Sequence, residues 1–274
     1  MMRTRHTITL PAQILIIILV VSLATGCITD GRPGTDGNGP YDGCTITLCC
    51  GAGLMKPMNE IIANFENETG ASVDVHYGGA GEIFGILASG MGDVFIPGSY
   101  YHTAEAMERG YVYNDTVQNI TLHIPTIITS KGNPKNITVL EDLANPGIKL
   151  VLGDPNGPAI GKVSKRMLDN EGILEAVDHN VQTYTLTVNQ LLLYVVTNHA
   201  DATIIWEDIV TWEEAKGDLV VIKIPPEKNL IRTIPTAVST NTQNMEIAQM
   251  FNDFVTSEGS LVVWNKWGFV AAEN

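Results

Sequence analysis

Apolar and polar positions along this chain follow two alternating periods. Short runs at 45–49, 72–77, 93–97, 148–152 and 202–206 are either strictly alternating or unbroken in apolar character, which predicts strands. Between them, apolar residues recur every three to four positions. Leu54, Met58, Ile61, Ile62 and Phe65 do so until Gly70 ends the run, which predicts a helix. Further helices are predicted over 83–87, 103–109, 139–144, 159–168, 188–197 and 244–256. Further strands are predicted over 122–130, 219–224 and 231–238, with a closing element over 262–270. This alternation predicts an α/β fold with largely parallel strands. No solenoid-length repeat recurs.

Three glycine-rich turns each lie between a predicted strand and a predicted helix: Gly51-Ala52-Gly53-Leu54, Gly78-Gly79-Ala80-Gly81, and Gly153-Asp154-Pro155-Asn156-Gly157-Pro158-Ala159. A helix N-terminus leaves backbone N–H groups unpaired and carries partial positive charge. Glycine and alanine allow a ligand close to those groups. In open α/β sheets such turns lie at the carboxyl ends of strands, where ligands bind. Several converging turns would bind an anion without lysine or arginine.

The N-terminus changes the compartment. Arg3, Arg5 and His6 precede an apolar run over 14–23, and 23–27 (Leu-Ala-Thr-Gly-Cys) resembles a lipobox. The run is short for a membrane span, so 1–26 reads as a lipoprotein signal peptide with Cys27 as the lipid-bearing residue. An uncleaved anchor is the alternative, and both place the rest outside the cytoplasm. Residues 27–43 are rich in Gly, Pro, Asp and Asn and read as a flexible stalk. Removing 1–26, which hold two arginines and no acid, takes the net charge from −14 to −16. That charge argues against nucleic-acid binding.

After Cys27, three cysteines remain. Cys44, Cys49 and Cys50 read as buried thiols on a first strand, with a Cys44–Cys49 or Cys44–Cys50 disulfide as the alternative. No paired-cysteine metal motif occurs. Asn67, Asn114, Asn119 and Asn136 lie in N-glycosylation sequons. The stretch 157–162 imitates a phosphate loop, but its spacing is wrong and Val163 replaces the magnesium-binding hydroxyl. No nucleophile–base pattern or zinc-protease motif is present. His76 reads as a strand-end residue. The set Trp264, Trp267 and Phe269 reads as core packing of the last helix.

Other segments carry a family resemblance. They include 53–54, Phe65-Glu66-Asn67-Glu68-Thr69-Gly70 with Val73-Asp74-Val75, and Leu87-Ala88-Ser89-Gly90-Met91-Gly92-Asp93-Val94-Phe95. Leu140-Glu141-Asp142-Leu143-Ala144-Asn145-Pro146-Gly147 and Leu152-Gly153-Asp154-Pro155 with Pro158-Ala159-Ile160-Gly161 follow. Phe251, Phe254-Val255, Ser257-Glu258-Gly259 and Trp267-Gly268-Phe269 complete the set. Together, over 45–270, they resemble type II periplasmic solute-binding proteins, and within these the molybdate/tungstate-binding branch. The resemblance implies two α/β lobes, each a mixed sheet flanked by helices. Lobe one would comprise 44–124 and 235–274, and lobe two 125–234. Strands 122–130 and 231–238 would be the hinge, and a ligand would be trapped between the lobes.

Carried over by position, the resemblance places the first anion-binding loop at Ala52-Gly53 and the second at Gly79-Ala80-Gly81. The third falls on Pro158-Ala159, the fourth on Val188 and the fifth on Trp206. Gly53 and Ala80 stand where relatives usually carry serine, and Trp206 where many carry tyrosine. Asp154 and Glu207 match two carboxylates that complete an octahedral metal centre in an archaeal tungstate-binding branch. Otherwise Asp154 shapes its turn and Glu207 caps a helix. The implied protein is a monomeric, non-enzymatic, lipid-anchored binder of molybdate or tungstate. It would have no other cofactor and would serve an ABC permease and its ATPase. Sulfate, phosphate or ferric iron are alternative ligands, the last motivated by Tyr100-Tyr101-His102. A secreted enzyme using the cleft is the alternative from another class.

Overall fold

The computed structural model describes residues 39–215 and 219–272. The expected signal peptide (1–26), Cys27 and the expected stalk up to residue 38 lie outside the described residues. Among the described residues, nineteen helices and strands follow one another along the chain. β1 (Thr45–Gly51), α1 (Met55–Thr69), β2 (Ser72–Gly78), α2 (Ala80–Ala88), β3 (Val94–Ile96), α3 (Tyr100–Glu108) and β4 (Gln118–His123) come first. β5 (Pro125–Ser130), β6 (Leu150–Gly153), α4 (Ala159–Asn170), α5 (Leu174–Asp178), β7 (Val181–Thr185), α6 (Val188–Val196), β8 (Ala202–Trp206) and β9 (Leu219–Lys223) form the middle. β10 (Arg232–Val238), α7 (Met245–Phe254), α8 (Glu258–Lys266) and β11 (Val270–Ala271) close it.

The strands form two mixed sheets. One has the order β11-β4-β10-β3-β1-β2 and the other β7-β6-β8-β5-β9. The chain passes from the first sheet to the second between His123 and Pro125, and returns between Lys223 and Arg232. Each sheet packs its own apolar core. Ile46, Leu48, Phe65, Phe251 and Trp264 anchor the first. Ile127, Leu152, Leu168, Leu191 and Ile204 anchor the second. Trp267 packs against both cores.

Three expectations need correction. The single strand expected over 122–130 is two strands in different sheets. Pro125 has no N–H to continue a ladder, and the Ile124 carbonyl accepts from Glu207 N at 2.8 Å. The end of the expected stalk is folded. Tyr41 N donates to Thr69 O at 3.0 Å and its hydroxyl to Glu246 Oε1 at 2.8 Å. Gly39 packs so closely that a Cβ there would stand 2.2 Å from Thr69 O. Finally, Cys44, read as a third buried thiol, is not free, and neither alternative disulfide forms, because Cys49 and Cys50 are free and buried as read. Burial, with a smaller contribution from Asp93, pushes the Cys49 thiol up to about 11, which keeps it protonated and inert.

No helix among the described residues is long and apolar enough to cross a membrane.

Candidate ligand cleft

Strand direction fixes where the site lies. β1, β2 and β3 are parallel, and register sets Gly51 opposite Gly78 and Cys50 opposite Ile96. Their carboxyl ends therefore share one edge of the first sheet. β10 runs antiparallel to both β3 and β4, so β4 points the same way and His123 reaches that edge too. In the second sheet, parallel pairing sets Gly153 opposite Thr185 and Leu150 opposite Ala202. Pro125, at the start of β5, pairs with Trp206 at the end of β8. A single residue separates His123 from Pro125. The carboxyl edges of the two sheets thus face each other across the crossover, and both groups of loops open into one cleft.

Five helix N-termini meet at these edges. In lobe one they are the helical turn Ala52–Leu54 leading into α1, then α2 and α3. In lobe two they are α4, capped by Pro158, and α6, capped by Thr187, whose hydroxyl accepts from Gln190 N at 3.4 Å. The first N–H groups of each helix have no intrahelical partner. Ala52, Gly79, Gly81 and Ala159 are exposed, and Gly53, Ala80, Pro158 and Val188 are half-buried. Pro158 has no N–H and contributes shape only.

Several site residues already have partners. Gly79 N donates to Glu82 Oε2 at 3.3 Å, a reciprocal cap that places a carboxylate at the start of α2. Asp154 Oδ1 accepts from Asn156 N at 2.7 Å and Asp154 O from Gly157 N at 2.9 Å, so this residue shapes its turn. Glu207 Oε1 pairs with Lys223 Nζ at 3.0 Å. Trp206 is only 4% exposed and its ring stacks on His123 with centroids 4.0 Å apart. Asp154 and Glu207 follow the ends of neighbouring parallel strands, which brings their backbones to one edge. No cluster of three or more His, Cys, Asp or Glu with metal-binding geometry occurs among the described residues.

The first turn of α3 adds groups that sequence reasoning did not place in the anion site. Ser99 Oγ lies 3.4 Å from His102 Nδ1. Burial holds His102 below the usual imidazole range, Glu105 opposes this, and the charge of Lys162 on α4 adds to it. The signal was legible: Gly98-Ser99 follows a strand and opens a helix, as the three glycine turns do.

Removing the Glu82 carboxylate has a foreseeable consequence. Glu82→Ala is expected to tighten oxyanion binding about threefold to tenfold in low salt, with the gain shrinking as salt screens it. Calorimetric titration at two ionic strengths checks this, and unchanged affinity at both places α2 away from the ligand.

Comparison with known proteins agrees with this architecture. Residues 46–270 match the family described as bacterial extracellular solute-binding protein. A binding protein of Haemophilus influenzae is 27% identical over 83% of this chain and 91% of its own length. The molybdate-binding protein ModA of Mycobacterium tuberculosis is 24% identical over 90% of this chain and 94% of its own. Among solved structures, the sulfate-binding protein SubI of Mycobacterium tuberculosis superposes with a TM-score of 0.70 at 21% identity, covering 84% of this chain and 88% of SubI. With two lobes, two crossovers and a cleft between carboxyl edges, the chain belongs to the bacterial extracellular solute-binding protein family and has its type II fold.

Proposed function

We propose that this chain is an extracytoplasmic solute-binding lipoprotein, tethered through Cys27, that captures molybdate or tungstate for an ABC importer. It performs no chemistry; it captures, encloses and delivers. The observation that carries this reading is the convergence of helix N-termini from both lobes on one cleft. A tetrahedral dianion there can lose its water because backbone N–H groups replace it. Ala52, Gly53, Ala80, Gly81, Ala159 and Val188 supply that shell, Gly79 joins it on releasing the Glu82 carboxylate, Pro158 shapes it and Trp206 lies at its base. The 24% identity to ModA over most of both chains supports the ligand class. The protein acts as a monomer and hands its ligand to a membrane permease driven by an ATPase subunit.

Asp154 and Glu207 are part of the proposal as direct ligands of the oxyanion's metal. A carboxylate repels an oxyanion unless it bonds the central atom. Molybdenum and tungsten accept such a bond; sulfur in sulfate does not. Ligation requires Glu207 to leave Lys223, so cleft closure and this exchange would be linked.

Missing hydroxyls at Gly53 and Ala80, together with the similarity to SubI, favour one alternative: the same cleft taking sulfate or phosphate. Ferric iron at Tyr100 and Tyr101 is a further alternative. Titration calorimetry of the purified protein against molybdate, tungstate, sulfate, phosphate and ferric citrate decides. Heat with either metal oxyanion and none with sulfate is the expected result. Asp154→Asn and Glu207→Gln are each expected to weaken tungstate binding at least about tenfold. Absence of heat with both metal oxyanions would end this reading.

A further inference from the structure

The junction between the lobes buries an ionisable pair that ligand capture leaves without a task. His123 ends β4 in lobe one, and Asp208 lies in the helical turn Glu207–Thr211 of lobe two. Their side chains are 6% and 3% exposed, with His123 Nε2 3.2 Å from Asp208 Oδ1. The imidazole lies flat on the Trp206 indole, centroids 4.0 Å apart and planes 10° from parallel. Phe269 packs at the same ring, 5.7 Å away.

This is an unusual way to fill space. Neither nitrogen of His123 and neither carboxylate oxygen of Asp208 has a partner with hydrogen-bond geometry. Apolar residues of the same volume would fill the junction without desolvating two polar groups. Proximity to Asp208 and stacking on Trp206 therefore hold the imidazole in place, and both depend on how the lobes sit. Other charged groups nearby are Arg232, which pairs with His123 in the β4–β10 register, and Glu207, which is bonded to Lys223.

Lobe one also grips the Asp208 turn from behind. Gly268, at φ +82, packs so that a Cβ there would stand 3.1 Å from Asp208 Cα. Thr211 Oγ1 donates to Trp267 O at 3.1 Å. The Asp208 turn, His123 and the stacked indole therefore all sit where the two lobes meet.

We infer that His123, held by Asp208 across the lobe junction, is a positioning residue that fixes the Trp206 indole at the base of the cleft. The inference rests on the reading that puts Trp206 in the ligand shell. A flat ring on one indole face fixes the plane of the other ring, and so the direction of its N–H donor.

The test uses the full chain and four variants: His123→Ala, His123→Phe, Asp208→Asn and Trp206→Phe. His123→Ala is expected to weaken tungstate binding at least about tenfold, because a misplaced donor loses most of its worth. His123→Phe returns a flat ring to the indole and is expected to recover affinity to within about threefold of wild type. Asp208→Asn is expected to fall between them. The second readout is the Trp206 contribution to fluorescence, taken as wild type minus Trp206→Phe. Its emission is expected to shift in His123→Ala and to be preserved in His123→Phe. Wild-type affinity in His123→Ala overturns the inference, as does failure of His123→Phe to rescue at matched thermal stability. If wild type itself binds no oxyanion, the proposed function fails, and the fluorescence readout alone then decides whether His123 orients the indole. If His123→Ala does not fold, His123→Phe and Asp208→Asn carry the same comparison.

Discussion

Gly161→Ala is expected to lower oxyanion affinity by about tenfold to a hundredfold, the worth of one hydrogen bond to a charged group. A Cβ at Gly161 would stand 2.2 Å from Asp154 O and 2.7 Å from Gly153 C. Both atoms are backbone, one in the Asp154 turn and one at the end of β6, so no side chain can swing aside. Helix α4 must withdraw, and its free N–H groups at Ala159 and Ile160 withdraw with it. Overpacking of this kind destabilises by about 1–3 kcal/mol. The control is Gly85→Ala, in the middle of α2, where a Cβ meets nothing within 4 Å. It is expected to stabilise by about 0.5–1 kcal/mol, because glycine loses more backbone freedom on folding. Calorimetric titration and thermal melting of both variants check the pair of outcomes. Wild-type affinity in Gly161→Ala would mean that α4 does not contribute to the ligand shell.

The local grammar of strand, glycine turn and helix was readable because each such unit is specified within about twenty residues. β1, α1 and β2 emerged that way. What sequence could not display was contact at long range. The run around 122–130 reads as one strand because Leu122, Ile124, Ile127 and Ile128 are all apolar. It breaks because Ile124 O turns to Glu207 N, 83 positions later. Trp206 shows the same limit. By the resemblance it reads as a ligand-facing residue, yet His123 covers one face of its ring because the crossovers bring β4 and β8 together. Glu82 is a different case. Gly79 followed three residues later by glutamate is a capping signature. That signature competes with the ligand role the resemblance implies for Gly79, because one N–H cannot serve both.

The stability of lobe one depends most visibly on Trp264, and Trp264→Ala is expected to destabilise it by about 3–5 kcal/mol. The side chain is fully buried, its indole N–H donates to Val255 O at 3.1 Å, and its ring meets Phe269 edge-on at 5.2 Å. Truncation removes the largest fully buried side chain among the described residues and leaves a buried carbonyl unpaired. Each kcal/mol lowers the melting temperature of a domain of this size by about 2–4 °C, so a fall of about 10 °C is expected. Trp264→Phe keeps most of the ring and loses the donor, so it is expected to fall by about a third as much. The core of lobe two contains none of these residues. If calorimetry resolves two transitions, only one should move. The effect should also reach the cleft. Phe269 leans on Trp264 and packs at His123, so losing the indole loosens the lobe junction from the lobe-one side. A Trp264→Ala protein held well below its melting temperature should therefore bind oxyanion more weakly, although Trp264 never approaches the ligand. If its melting temperature falls while its affinity stays at the wild-type value, the core of lobe one and the junction are mechanically independent.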